Sequence, residues 1–270
     1  MLKQRVLTGL VLGPLIIWGI FALPETAFNL ILAAVIGLAA WEWARLGNLQ
    51  DTLHRIMYAG LILAVLYGVS ILPQPELVMQ GVFVTVLLWW LVVVFRLFNH
   101  WQRALPTGIS ALPTLLAGLP VLAGFFFGLV QLRLHYGPVW ILALLLLIWI
   151  ADSAAYFVGR RFGRRKLLVS ISPGKSWEGV YAALLSSLLV AGAIAYYFHR
   201  IDHLAMLVGI CLLTVLISIV GDLNESYYKR RAGLKDSSQL LPGHGGILDR
   251  IDSLTAAVPV FYVSLMVFGL

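Results

Sequence analysis

The sequence predicts an all-α membrane protein that crosses the bilayer about nine times. Of its 270 residues, 61% are hydrophobic and only 11% are charged, and the mean hydropathy is +0.93. A soluble globular domain carries about 25% charged residues, so this composition excludes that class. The polar residues concentrate in two segments, 160–178 and 223–252. We therefore divide the chain into a mostly apolar region, 1–135, and a region that contains the polar segments, 136–270.

Nine apolar runs approach the length of about 20 residues that a helix needs to cross the hydrocarbon core. They cover approximately 6–23, 27–45, 56–73, 77–96, 108–131, 138–159, 178–198, 204–222 and 253–270. The first run follows Lys3 and Arg5, as in a secretory signal. Its apolar stretch is longer than the usual signal core of about 7–15 residues, and further spans follow, so we predict a retained first helix.

The positions of lysine and arginine predict the orientation. If the N-terminus is cytoplasmic and nine spans alternate, 17 of the 19 basic residues lie on the cytoplasmic side, and Arg133 and Arg200 lie opposite. This bias matches the positive-inside rule. We predict a multi-pass protein of the inner, cytoplasmic membrane. The net charge of +7 then indicates orientation and attraction to anionic membrane lipids, and we expect no nucleic-acid partner.

The long polar segment from Gly221 to Asp252 is the strongest candidate site. Four of its side chains are spaced to share one face if they are helical: Asp222, Glu225, Ser226 and Lys229. Asp249 and Asp252 would likewise lie on adjacent turns of a helix that begins near them. Carboxylates beside basic groups at a membrane surface fit a Mg²⁺-dependent phosphate site.

Glycines lie between these two acidic groups, in the sequence PGHGG around His244. Such a loop can bend sharply and bring backbone N–H groups close to an anion. Since no second His or Cys lies at zinc-like spacing, we expect His244 to contact phosphate or nucleotide, or to order the loop, and not to bind a metal.

Two further features lie upstream. Asp152 follows an unbroken apolar run, and a carboxylate in that place is either functional or paired with Arg160 or Arg161. Ser172, Lys175 and Ser176 form a predicted turn before a helix that begins near Trp177, where the helix dipole favours an anion. Their spacing differs from that of a Walker A loop, so an ATPase is not indicated.

These residues resemble a known family. The sequence SYYKRRAGLKDSSQLLPGHGGILDRID, residues 226–252, is similar to the signature of the phosphatidate cytidylyltransferases, also called CDP-diacylglycerol synthases. The resemblance continues through SPGKSWEG, residues 172–179, and IADSAAYFVGRRFG around Asp152. It implies the transfer of CMP from CTP to phosphatidic acid, which gives CDP-diacylglycerol and pyrophosphate in phospholipid biosynthesis.

The resemblance also implies roles for individual residues and cofactors. The catalytic assignments are Asp222, Asp249, Lys229 and Arg250. The substrate and nucleotide contacts are Ser172, Lys175, Ser176, Glu178, Ser226, Arg230, Lys235, Asp236, His244, Gly245 and Gly246. The metal ligands are Asp222 and Asp249, joined by Asp152 and Asp252. The implied metal is Mg²⁺, with a monovalent cation such as K⁺ as a second ion.

Some alternatives stay open. Two groups of residues are more typical of interfacial anchors than of a site: Trp41-Glu42-Trp43 with Arg45, and Trp89-Trp90 with Arg96. The first five spans could form an acyl-chain cavity, a homodimer contact, or both. The alternative activities are a CTP-dependent polyprenol or lipid-alcohol kinase and, from a different class, a membrane transporter with polar groups near the midplane of several helices.

Overall fold

The computed structural model describes residues 2–99, 108, 110–241, 243 and 245–270, with side chains from residue 10 onward. Within these ranges the chain forms nine α-helices, which confirms the predicted all-α polytopic fold. The helices are α1 (Leu2–Ala22), α2 (Glu25–Leu46), α3 (Thr52–Ser70), α4 (Pro75–Asn99), α5 (Ala111–Tyr136), α6 (Pro138–Phe162), α7 (Trp177–Tyr197), α8 (Leu204–Arg231) and α9 (Leu248–Phe268). Helices α2 to α9 are long and apolar enough to cross a membrane, and α1 has a shorter apolar part, Leu10–Ala22.

Polar contacts collect at one end of the helix bundle, which we call the polar end. Here the last turns of α2, α4 and α8 meet the start of α9 and the loop 232–247. Arg45 of α2 donates to the backbone carbonyl of Ser237 (3.3 Å), and Arg96 of α4 bonds to Asn224 and Tyr228 of α8. Arg133, near the last turn of α5, lies at the opposite end, where it donates to the carbonyl of Leu23.

A short antiparallel hairpin interrupts the helices between α6 and α7. Strand β1 (Lys166–Leu168) pairs with β2 (Ser172–Ser176), with Lys166 opposite Ser176 and Leu168 opposite Ser172. The turn predicted at Ser172–Ser176 is therefore wrong, because these residues pair with β1 as an extended strand. Helix α7 does begin at Trp177 as expected, and the hydroxyl of Ser176 accepts a bond from Gly179 N (3.3 Å) as its N-cap.

Helix α9 is the central helix, since it is the most buried of the candidate spans and packs against α2, α4, α5, α6 and α8. Its contact with α8 depends on Gly221. A Cβ atom at that position would lie 2.7 Å from the Asp252 carbonyl oxygen and 3.0 Å from the Ala256 side chain. The absence of a side chain at Gly221 lets the two helices approach closely, which brings Asp222 beside Asp252.

An apolar cavity of about 490 Å³ lies among α3, α4 and α5. Its lining includes Leu66, Val82, Trp89 and Phe127. The cavity therefore belongs to the N-terminal half of the bundle, for which the sequence predicts an acyl-chain cavity, a dimer contact, or both.

Candidate active site

The hairpin and α8 meet through an ion pair. Lys175 Nζ on β2 lies 2.5 Å from Asp222 Oδ2 on α8, and both side chains are partly exposed, at 26% and 30%. Ser226, one turn further along α8, donates its hydroxyl to Asp222 Oδ1 (3.3 Å). The predicted helical face is thus present, and Asp222 lies within α8 instead of closing it.

Asp152 on α6 is exposed and lies within electrostatic range of Lys175 and Asp222. Arg160 donates to the Tyr156 hydroxyl (2.9 Å), and in the described part of the chain neither Arg160 nor Arg161 forms an ion pair with Asp152. Three segments that are distant in the sequence, on α6, β2 and α8, therefore place charged groups together.

A second ion pair is buried. Lys229 Nζ lies 2.7 Å from Asp249 Oδ1 on α9 and 3.1 Å from Glu225 Oε1 on its own helix. All three side chains are less than 10% exposed. Burial of charged groups is costly unless they are paired, so this triad rigidly joins the last turns of α8 to the first turn of α9.

Asp249 also anchors the loop that precedes α9. Its Oδ2 accepts bonds from Ser237 N (2.9 Å), Ser237 Oγ (2.9 Å) and Gly246 N (2.7 Å). A Cβ atom at Gly246 would clash with Ser237 Oγ and lie 2.5 Å from both carboxylate oxygens of Glu42. Gly245 adopts φ +80°, a conformation that favours glycine. These glycines therefore let the backbone close around Asp249.

Asp252 connects the two ion pairs, because it lies within electrostatic range of Asp222, Glu225 and Lys229. We call the five acids the carboxylate cluster: Asp152, Asp222, Glu225, Asp249 and Asp252. Its lysine partners are Lys175 and Lys229, which leaves three more carboxylates than ammonium groups. An excess of hard carboxyl oxygen atoms fits a divalent cation such as Mg²⁺.

The described residues contain no ready-made group of three or more His, Cys, Asp or Glu side chains arranged to hold a metal. Mg²⁺ commonly binds through one or two carboxylates together with substrate phosphates and water, and not through a complete protein cage. The cluster is therefore compatible with a metal whose remaining ligands come from a bound phosphate compound.

Other predicted contact residues lie around the cluster. Glu178 accepts bonds from the backbone N–H groups of Arg164 and Arg165 and from the Arg165 side chain, which fixes the hairpin to α7. Arg230 donates to the carbonyls of Ile171 and Leu234, which joins α8 to the hairpin and the loop. Both residues thus have structural contacts beside any substrate role.

The remaining predicted residues differ in their exposure. Ser172 is partly buried in β2, whereas Lys235, Asp236 and Arg250 are exposed. His244 lies outside the described residues, so its predicted role stays a prediction.

Two residues interpreted as interfacial anchors are instead part of the polar end. Glu42 is completely buried and accepts bonds from the loop and from the start of α9. The guanidinium group of Arg96 bonds to Asn224 and Tyr228 and lies 4.5 Å from the ring centroid of Tyr227. A charged residue inside a predicted span is functional by default, and that rule would have singled out Glu42.

The fold and the cluster define a polytopic α-helical membrane protein with an acidic, lysine-bridged site at one end of its bundle. The sequence profile of the cytidylyltransferase family matches residues 3–268. The chain is 43% identical to the phosphatidate cytidylyltransferase of Pseudomonas aeruginosa over 273 residues, covering 100% of this chain and 98% of that protein. The chain therefore belongs to the cytidylyltransferase family.

Other relatives agree over similar lengths. The phosphatidate cytidylyltransferase of Haemophilus influenzae is 37% identical, with 97% of each chain covered. That of Brucella suis is 34% identical, covering 99% of this chain and 94% of the relative. The similarity thus includes the N-terminal helices as well as the signature segment.

Proposed function

We propose that this protein transfers the cytidylyl group of CTP to the phosphate of phosphatidic acid and releases pyrophosphate. The observation that carries the proposal is the 2.5 Å contact between Lys175 and Asp222. This contact joins segment 172–179 to α8 at Asp222, one turn before segment 226–252 begins at Ser226, which bonds to Asp222. Both segments resemble the phosphatidate cytidylyltransferases. Family membership and the names of the relatives support the same activity.

The proposed reaction needs positioning and charge more than a strong base. An oxygen of the phosphatidate phosphate forms a bond to the α-phosphorus of CTP, while the bond from that phosphorus to the bridging oxygen of the leaving pyrophosphate breaks. A phosphate monoester with a second pKa near 6 is already largely ionised at neutral pH. Catalysis then depends on the alignment of the two phosphates and on the neutralisation of their charge.

Lys175 and Lys229 are suited to different parts of this task. The Lys175 side chain is 26% exposed and has Asp222 as its ion-pair partner, so it can exchange that partner for a triphosphate oxygen. The Lys229 side chain is 9% exposed and lies between two acids. Lys229 therefore acts from a fixed position, where it holds Asp249 in place and offsets part of the cluster's negative charge.

Mg²⁺ would be held by Asp222 and Asp249, with Asp152 and Asp252 beside them. When bound, the metal supplies positive charge to the triphosphate and stabilises the leaving pyrophosphate. Asp222 has the more accessible oxygen atoms. Asp249 already accepts bonds from four donors, which are Lys229 Nζ, Ser237 N, Ser237 Oγ and Gly246 N, and it would exchange one of these donors for the metal.

The proposed orientation places the polar end in the cytoplasm, where CTP is available. Arg45, Arg96, Lys175, Lys229 and Arg230 lie at this end, and Arg133 lies at the other. The positive-inside rule supports this sidedness.

The test uses purified protein in detergent with Mg²⁺ and CTP labelled at either the α- or the γ-phosphate. Phosphatidic acid and a polyprenol are supplied as separate acceptors. Phosphatidic acid linked to α-labelled CMP supports the proposal, and γ-label on the polyprenol would instead indicate a kinase. Failure to label either lipid would contradict both enzymatic activities and leave a membrane transporter as the remaining alternative. Asp222→Asn is the matched control for background labelling.

A further inference from the structure

Glu42, in the next-to-last turn of α2, is a buried acid with an unusual set of partners. Its side chain is 0% exposed and can accept four hydrogen bonds. Two come from hydroxyl groups, Ser237 Oγ (3.0 Å) and Ser238 Oγ (2.5 Å). The other two come from the backbone N–H groups of Ile247 (3.0 Å) and Leu248 (2.7 Å). Every one of these donors lies about 200 residues away in the sequence.

The position of these donors shows what Glu42 holds. Ile247 and Leu248 begin α9, so the carboxylate satisfies N–H groups that have no partner within the helix. It also lies at the positive end of the helix dipole, which favours a negative charge. Ser237 and Ser238 lie at the other side of the loop. One carboxylate of α2 thus clamps both ends of the segment 237–248.

Ser237 connects this clamp to the carboxylate cluster. Its hydroxyl lies 3.0 Å from Glu42 Oε2 and 2.9 Å from Asp249 Oδ2. A hydroxyl has one proton to donate, so it bonds to one of these acids at a time. Glu42 keeps three other donors when Ser237 donates to Asp249. The Ser237 hydroxyl therefore lies between the carboxylates of Glu42 and Asp249 where a cation would otherwise be needed, and the bonds to both acids fix the backbone around Asp249.

We propose that Glu42 is a positioning residue that holds Asp249 in its reactive orientation by clamping the segment 237–248. The inference rests on the proposed function, since it assigns Asp249 to the site of CMP transfer. Glu42 acts through the loop and touches no substrate. In this way a helix of the N-terminal half contributes to a site whose other residues all lie in the C-terminal half.

The test compares Glu42→Gln with Glu42→Asp. Glutamine has nearly the same shape, but its amide NH₂ group faces N–H and O–H donors, so about half of the bonds are lost. Because a displacement of about 1 Å can cost about 100-fold in rate, we expect kcat per folded molecule to fall about 10- to 100-fold in Glu42→Gln. Glu42→Asp keeps the charge and should retain an intermediate kcat.

A second readout is independent of activity. Hydrogen–deuterium exchange of residues 237–248 should be faster in Glu42→Gln, whereas exchange in α5 should match the wild type. Glu25→Gln, an exposed acid in the first turn of the same helix, is the matched control and should leave kcat and exchange unchanged. If wild-type protein forms no CMP-linked lipid, the proposed function fails, and the exchange experiment still tests the clamp.

The outcomes separate a positioning role from a purely structural one. Folded Glu42→Gln with wild-type kcat, or with wild-type exchange in 237–248, would overturn the proposal. If Glu42→Gln does not accumulate, Ser238→Ala takes its place, because Ser238 bonds to Glu42 and contributes no bond to Asp249. We expect Ser238→Ala to lower kcat about threefold to tenfold, and wild-type kcat with unchanged exchange would again overturn it.

Discussion

The acids of the carboxylate cluster differ in how fully their oxygen atoms are already bonded. Asp222 has one lysine and one hydroxyl partner. Asp249 accepts bonds from Lys229, from Ser237 through both its backbone and its side chain, and from Gly246. The two residues assigned together as metal ligands thus have different roles. Asp222 is more accessible to a ligand, whereas Asp249 also orders the loop.

Substitution of these two acids by asparagine should separate the duties. Asparagine is nearly isosteric but uncharged, so Asp222→Asn should lower activity by about 100-fold or more and raise the Mg²⁺ concentration needed for half-maximal rate. Asp249→Asn should lose a similar factor and also unfold at a lower temperature, because Lys229 loses a buried partner. Rates over a Mg²⁺ titration and thermal unfolding in detergent measure both effects. Near-normal turnover of Asp249→Asn with an unchanged Mg²⁺ dependence would refute its assignment.

Lys175 should affect CTP binding more than lipid binding. If Lys175 exchanges Asp222 for a triphosphate oxygen, Lys175→Ala loses a charge-assisted hydrogen bond, and the KM for CTP should rise about tenfold. The KM for phosphatidic acid should change much less. Lys166→Ala, on the neighbouring strand and exposed, is the control. A rise confined to the KM for phosphatidic acid would move Lys175 to the lipid headgroup.

At the scale of secondary-structure elements, the length of α8 decides the geometry of the site. The apolar run predicts a helix that ends near residue 222, whereas α8 continues to Arg231. The extra turns carry Glu225, Ser226 and Lys229. Lys229 pairs with Glu225 and with Asp249 of α9, and Ser226 bonds to Asp222. These turns can therefore be polar, because they contact other protein groups and do not need an apolar surface against lipid. Hydropathy detects the apolar part of a helix and misses polar turns that are buried by other protein segments.

Arg96 joins α4 to these polar turns. Its planar guanidinium group bonds to Asn224 and Tyr228 at once and lies over two tyrosine rings. Lysine keeps the charge but lacks this fork, so Arg96→Lys should lower the free energy of unfolding by about 1–3 kcal/mol. Arg161→Lys, at the exposed end of α6, should have little effect. Equal unfolding midpoints of the two variants in detergent would contradict the role of Arg96.

At the scale of the whole molecule, the polar end should face the cytoplasm. Gln239 is exposed in the loop of this end, and Asp202 is exposed between α7 and α8 at the other. In a Cys211→Ser background, which removes the native buried cysteine, a membrane-impermeant maleimide should label Asp202→Cys in spheroplasts and leave Gln239→Cys unlabelled. Both should react after permeabilisation. The same accessibility for both positions in sealed cells would disprove the nine-span orientation.

The sequence by itself determines the membrane class, the number and approximate places of the helices, and the family resemblance. Hydropathy and helical spacing are local properties, so they can be derived from the sequence without knowledge of packing. The same local reasoning correctly places Asp222, Glu225, Ser226 and Lys229 on one helical face and begins a helix near Asp249. It also predicts the side of the bundle on which most basic residues collect.

Only the tertiary structure decides which of these polar groups meet. The contact of Lys175 with Asp222 depends on a hairpin that the sequence predicts as a turn. The approach of Asp252 to Asp222 depends on the close packing of α8 and α9 at Gly221. Glu42 and Arg96 resemble interfacial anchors in the sequence because their partners lie more than 100 residues away. Hydrogen bonds and charge pairs between distant segments form only when packing brings those segments together, and this is the physical reason that local sequence patterns cannot reveal them.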